Sequence, residues 1–161
     1  MNNKDKIKSF GEILEIVENA KAAGRKIVTT NGSFDIFHAG HVELLQKAKE
    51  KGDVLIVGVN SDKSVRTYKK KPGRPIVPEK YRAETVAAVG YVDFVFLFDD
   101  LIPNPWLDQI RPDVHSNSAE YGAKCVETEV LEKYGGELHL VPREEIPLST
   151  SDIEAKIRAE K

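Results

Sequence analysis

The chain has 161 residues, of which 40% are hydrophobic and 31% charged, a balance that argues against disordered, collagenous and membrane-spanning classes and suits one domain of about 150 residues with a real core. The 24 basic against 26 acidic residues leave a formal charge of -2, so the whole molecule offers no electrostatic reason to bind a polyanion such as DNA, and any phosphate site must be local. One cysteine, Cys125, cannot form an internal disulfide, and the N-terminus MNNKDKIKSF lacks the apolar run of a signal peptide, which gives the expectation of a cytoplasmic protein without a nucleic-acid or membrane partner.

Phe10, Ile13, Leu14, Ile16 and Val17 recur at helical spacing, which predicts an amphipathic helix ending near Gly24. Lys26–Thr30 reads as a strand, Val42–Lys51 as a helix and Val54–Val59 as a nearly continuous apolar strand of the kind buried on both faces. A loop bearing Pro72, Gly73, Pro75 and Pro78 leads to a helix over Glu79–Val89 and a strand over Phe94–Phe98. Asp113 and Val114 open a fourth short strand, Ala123–Tyr134 reads as a helix, Leu138–Val141 as a strand and Asp152–Ala159 as the last helix. Strands alternating with helices predict an α/β fold: a single Rossmann-like, doubly wound parallel sheet of about five strands with helices on both faces. One domain is expected over 1–161, with an N-terminal helix in 1–24 and the catalytic core in 25–161. Ligands of such sheets bind beyond the carboxyl ends of the strands, which directs attention to the loops after Thr30, Val59, Phe98 and Val114.

The first of these loops, Asn31-Gly32-Ser33-Phe34-Asp35-Ile36-Phe37-His38-Ala39-Gly40-His41, is the most informative stretch. His38 and His41 flank a glycine, and His41 falls at the start of the next helix, where free backbone N–H groups and the positive end of the helix dipole favour an anion. Two imidazoles and a helix N-terminus around one pocket suit a phosphate whose charge rises during reaction. Zinc held by both histidines is the competing reading, although no cysteine lies near them and Asp35 is the only acidic residue within this loop.

These residues resemble the cytidylyltransferase-like nucleotidyltransferases, whose motif is H-x-G-H. The resemblance runs from about Thr29 to Ile157: Asn31-Gly32-x-Phe34-Asp35-x-x-His38-x-Gly40-His41, Gly58-x-Asn60-Ser61-Asp62, Gly73-Arg74-Pro75-Ile76, Arg82 and Ser149-Thr150-Ser151 occur in family order. The N-S-D and R-P segments are most similar to the heptose 1-phosphate adenylyltransferase domain of ADP-heptose synthesis, and next to glycerol-3-phosphate cytidylyltransferase.

The resemblance implies attack by a phosphate oxygen of a sugar phosphate on the α-phosphate of a nucleoside triphosphate, with Mg carried in on the triphosphate and a homodimer as the working form. It assigns His38, His41 and Lys69 to catalysis. Lys69 matches the family lysine when counted forward from Asn60, whereas counting backward from Pro72 favours Lys70. Nucleotide binding falls to Asn31, Gly32, Ser33, Phe34, Gly40, Arg82, Ser149, Thr150 and Ser151, with Arg82 expected on the β- or γ-phosphate. Acceptor binding falls to Asp35, Asn60, Asp62, Arg74 and Asn117, while Trp106 is read as packing.

One segment departs from the heptose pattern V-K-G-G-D-Y: here it reads Ser116-Asn117-Ser118-Ala119-Glu120-Tyr121, preceded by His115 where the family is apolar. A lysine and a flexible glycine pair are replaced together, which leaves the reaction class standing and opens the acceptor and the base to question. A non-catalytic nucleotide-binding module and an aminoacyl-tRNA-related domain are the readings from other classes. The intact histidines argue against the first, and the short, acidic chain against the second.

Overall fold

The computed structural model describes residues 2–69, 72–119, 125–142 and 148–160. A 3₁₀ turn at Asn3–Lys6 precedes α1 (Phe10–Ala22), β1 (Ile27–Gly32), α2 (Ala39–Lys49), β2 (Val54–Asn60), α3 (Asp62–Lys69), α4 (Glu79–Ala87), β3 (Phe94–Phe98), α5 (Asn104–Ile110), β4 (Val114–Ser118), α6 (Thr128–Lys133), β5 (Glu137–Val141) and α7 (Thr150–Ala159). The strands form one five-stranded sheet in the order β3-β2-β1-β4-β5, every pair parallel. None of the described helices is long and apolar enough to cross a membrane.

Alternation along β2 explains the two-sided winding. Leu55, Val57 and Val59 face a cluster containing Leu45 and Ala48 of α2 and Ala83, Val86 and Ala87 of α4. Val54 and Ile56 face the opposite cluster, with Ile13 and Val17 of α1 and Trp106, Leu107 and Ile110 of α5. Both sides of the strand are therefore apolar, and β2 is buried along its whole length. Gly58 makes room on the second face, because a Cβ there would stand 3.2 Å from the rings of Phe96 and Phe98 and crowd them.

Each central strand is started by an aspartate. The carboxylates of Asp53, Asp113 and Asp93 accept the N–H groups of Lys26, Ile27 and Leu55, each at 2.7 Å. These bonds satisfy amides at the sheet's amino edge and fix the strand register there. α1 begins with a reciprocal cap, the Glu12 N–H donating to Ser9 Oγ at 3.3 Å and the Ser9 N–H to Glu12 at 2.8 Å.

Two helices were not expected. The segment after β2, read as loop, forms α3, a polar helix that buries Val65 and Ser64 and is capped by Ser61 Oγ, which accepts the Ser64 N–H at 3.1 Å. Its single apolar anchor gives no periodicity to detect. α5 hides behind Pro103 and Pro105, although Trp106, Leu107 and Ile110 carry helical spacing and a left-handed Arg111 at φ 49° ends the helix. The expected helix over Ala123–Tyr134 is shorter, Thr128–Lys133, and its first two expected residues lie outside the described segments.

His115 of β4 is fully buried, with Nδ1 2.8 Å from Thr29 Oγ1 and its ring edge-on to Trp106 at 6.0 Å between centroids. Burial pushes its pKa from 6.5 down to about 3. Between those values the unfolded chain binds a proton that the folded chain refuses. Stability is thus full above pH 6.5 and declines as pH falls from there toward 3, with a slope of up to about 1.4 kcal/mol per pH unit from this residue. In His115→Leu the unfolding free energy from urea titrations should fall less steeply with acidification across that window. An unchanged slope would refute this origin of acid sensitivity.

Candidate active site

A cleft of about 700 Å³ opens at the carboxyl ends of β1, β2 and β4 and is closed by the N-terminus of α7. Among the residues expected in the site, Asn31, Gly32, Ser33, Phe34, His38, Gly40, His41, Asn60, Lys69, Asn117, Ser149, Thr150 and Ser151 line it. Asp35, Asp62, Arg74 and Arg82 do not.

The loop between β1 and α2 is held in an unusual backbone path. Phe34 and Ile36 adopt left-handed φ of 48° and 55°, a strain on the order of 1–3 kcal/mol each for side-chain-bearing residues. Asp35, between them, is 1% exposed and supplies the compensation. Its carboxylate accepts the Ile76 N–H at 3.0 Å and the Val77 N–H at 2.9 Å, and it pairs with the Arg74 guanidinium. Burial works to raise its pKa, but the two amides and Arg74 together outweigh burial and hold it below the usual carboxylate range. In this arrangement both Asp35 oxygens are taken up by the protein, and the residue shapes the loop.

That path delivers the histidines. His38 is the N-cap of α2, and its N–H donates to His41 Nδ1 at 3.2 Å. The bond leaves the proton of a neutral His41 on Nε2, so this ring presents a donor and not a metal-binding lone pair. Burial first, then the charges of His38 and Lys69, push the His41 pKa down to about 3, which keeps the ring neutral. Phe37 stacks on it at 5.3 Å and Phe34 tilts against it at 5.3 Å, so Phe34 orients the imidazole. Gly40 allows a close approach, because a Cβ would lie 3.1 Å from the His38 ring and 3.1 Å from the Leu148 carbonyl oxygen and would crowd both. Among the described residues no three His, Cys, Asp or Glu side chains gather as a metal site.

Lys69, the last residue of α3, donates to Ser33 Oγ at 3.3 Å, which brings an ammonium beside the histidine loop. Lys70 and Lys71 lie outside the described residues. Ser149 caps α7, accepting the Asp152 N–H at 3.1 Å, and Thr150 Oγ1 donates to the Asp35 carbonyl at 3.2 Å. The N-termini of α2 and α7 therefore meet in one cleft, with exposed Ser151 at its mouth.

Arg82, expected on the β- or γ-phosphate, lies outside the lining of the cleft. Its side chain is fully buried. The guanidinium donates to the carbonyls of Ser33 at 2.5 Å, Asn60 at 2.8 Å and Val77 at 2.8 Å, and to Asp62 Oδ1 at 2.8 Å. Asp62 is absorbed by the same knot and also accepts the Glu79 N–H at 2.8 Å. Arg74 is shared between Asp35 and Glu154 of α7 and borders a side cavity of about 230 Å³ with Lys69, Thr150 and Ser151. Sequence reading missed Tyr68, Ile102 and Glu127, which line the main cleft. Ile102 and Glu127 sit in irregular connections, where no periodicity marks an inward side chain.

Arg82→Lys keeps the charge and loses the fork that serves four acceptors. We expect it to lower the unfolding free energy by about 3–5 kcal/mol in a denaturant titration, as breaking a buried ionic network does. Unaltered stability with a raised nucleotide KM would instead make Arg82 a substrate contact.

Residues 29–156 match the cytidylyltransferase-like family. The chain is 41% identical over 155 residues to bifunctional protein HldE of Geobacter metallireducens, covering 96% of this chain and 31% of that protein. It is 44% identical over 148 residues to bifunctional protein HldE of Pseudomonas aeruginosa, covering 91% and 31%. The chain thus spans about a third of the length of these curated relatives. Among solved structures, the lipopolysaccharide core biosynthesis protein from Thermoplasma volcanium aligns with TM-score 0.59 and 29% identity, over 74% of this chain and 96% of that one. Pantoate-beta-alanine ligase from Francisella tularensis aligns with TM-score 0.62 at 15% identity, over 93% and 76%, a likeness of fold alone. With its paired histidines on the α2 N-terminus and its match over most of its length, this chain belongs to the cytidylyltransferase-like family.

Proposed function

We propose that this chain is a nucleotidyltransferase that moves a nucleoside monophosphate from a nucleoside triphosphate, ATP, to a sugar 1-phosphate of the heptose type. It would thereby serve ADP-heptose synthesis for lipopolysaccharide. The observation that carries this reading is the convergence of His38, His41, Lys69 and two helix N-termini on one cleft. The HldE relatives and the lipopolysaccharide protein neighbour support the choice of pathway.

In this reaction an oxygen of the acceptor phosphate attacks the α-phosphorus, and the bond from that phosphorus to the bridging oxygen of the β-phosphate breaks, releasing pyrophosphate. A phosphate monoester is already anionic near neutral pH, so the nucleophile needs no general base. Catalysis is then a matter of placing the reactants in line and stabilising charge on the α-phosphate and the leaving group. The neutral His41 donates through Nε2, and the first-turn amides of α2 offer further donors. Lys69 and the α7 N-terminus hold the remaining phosphates. Magnesium would be held mainly by the triphosphate oxygens, as suits an ion that keeps its waters and takes few protein ligands, and would neutralise charge there. Asp35, fully engaged by Arg74 and two amides, has no oxygen to give it. The working form is a homodimer, and a monomeric mass in light scattering at micromolar concentration would overturn that.

The direct test is pyrophosphate release from the four nucleoside triphosphates, each offered with sugar 1-phosphates and with glycerol 3-phosphate. ATP with a heptose 1-phosphate should be turned over best; preference for CTP with glycerol 3-phosphate would transfer the reading to the polyol branch. No release from any pair by folded protein would defeat the proposal. His38→Ala and His41→Ala should each lower kcat by about 100- to 1000-fold with every pair, as removal of an oxyanion donor does.

A further inference from the structure

The wall of the cleft below β4 differs in character from the histidine end. Glu127, at the N-terminus of α6, is 4% exposed and lines the cleft. One of its carboxylate oxygens, Oε1, accepts from Asn117 Nδ2 at 3.3 Å. The other, Oε2, is buried and has no hydrogen-bond partner among the described residues. Asn117 is itself oriented, because its Oδ1 accepts the Ser118 N–H at 2.9 Å, which turns its amide nitrogen toward Glu127. The segment carrying Glu127 is fixed to α5 by Asn104 Nδ2, which donates to the Val126 carbonyl at 2.8 Å. The adjoining Cys125 is kept as a thiol, its pKa raised by burial and by its hydrogen bond to the Glu127 side chain, and this S–H is the one weak donor beside Asn117 that the described residues bring to the carboxylate.

A buried carboxylate met only by one long amide contact and a weak thiol is costly to the protein, and a further donor from water or from a ligand would complete it. The missing partner must be a donor, and its position in an acidic wall disfavours a phosphate. The anion-binding groups, His41, Lys69 and the α7 N-terminus, belong to other elements of the cleft. On the reading of the chain as a nucleotidyltransferase, we infer that Glu127, oriented by Asn117, determines specificity by accepting a hydrogen bond from an uncharged N–H or O–H donor of a substrate. That donor is either the exocyclic amine of the nucleobase or a hydroxyl that a sugar 1-phosphate acceptor carries and glycerol 3-phosphate lacks. The heptose-pattern lysine at position 117 would direct a cation at this carboxylate and close it, so the replacement by Asn117 and the free oxygen of Glu127 belong to one recognition device.

The test compares the wild-type chain with Glu127→Gln and Asn117→Lys. Pyrophosphate release is followed with ATP, ITP, CTP and UTP against the same acceptor panel, and calorimetric binding of each nucleotide and each acceptor is measured alone. The Glu127→Gln change keeps the shape of the side chain and weakens it as an acceptor, and thermal unfolding reports whether each variant is folded. Both substitutions should lower kcat/KM or affinity by about ten- to a hundred-fold for molecules that carry the donor, and change those lacking it little. A loss confined to ATP and CTP, with ITP and UTP spared, locates the donor on the base. A loss that follows the acceptor and not the base locates it on the sugar. Equal scaling of all pairs, or no change in any, would overturn the inference. Should the wild-type chain release no pyrophosphate, the proposed reaction fails, and the binding isotherms still decide whether Glu127 discriminates. Equal affinities in wild type and Glu127→Gln for all nucleotides and acceptors would then reject it.

Discussion

One guanidinium organises the floor of the cleft. The carboxyl edge of a parallel sheet leaves carbonyls that no neighbouring strand takes up, and in this protein Arg82 gathers three of them, from Ser33 beyond β1, Asn60 of β2 and Val77 before α4, and adds the Asp62 carboxylate. A fully buried cation is tolerable when its donors are met by acceptors, and here four of the five N–H groups are met by groups from the ends of the elements that must be held together. The strand ends cannot splay without stranding the charge. Everything the cleft presents, from the Lys69–Ser33 contact to the histidine loop, is set on that floor.

The upper part of the cleft is governed by a second buried pair, Arg74 with Asp35, and by a contrast in charge. The histidine end collects helix N-termini and an ammonium together with Glu43, whereas the β4 wall carries Glu127 and a neutral amide. Electrostatics of this kind sort a substrate lengthwise, its phosphates toward one end and its uncharged donors toward the other. The near-neutral formal charge of the whole chain conceals this polarity, because it arises from arrangement and not from composition.

The sheet was legible in the sequence because its central strand is apolar on both faces and its helices repeat at helical spacing. The helix α3 was not, since a single buried valine anchors it and its stability comes from Ser61, Asp62 and Glu79. The histidine pair announced itself through spacing and position at a helix start. Arg82 and Asp35 were recognised as important, yet whether a polar side chain turns to a ligand or to the protein depends on carbonyls and amides brought together from distant segments. Ser33, Asn60 and Val77 meet Arg82 only after folding, and no local pattern encodes that meeting. Glu127 stayed hidden for a related reason: its partner Asn117 sits on β4, across a connection with no periodic signal.

Asp35 also has a mechanical consequence. Its carboxylate holds Arg74, which in turn holds Glu154 of α7, while its backbone carbonyl accepts from Thr150 on that same helix. The first loop of the core and its last helix are thus coupled through one residue, at a point where the backbone on either side is already in a left-handed conformation. A displacement of α7 would therefore be transmitted to the loop that sets the angle of the histidines, so the two sides of the cleft behave mechanically as a single lever.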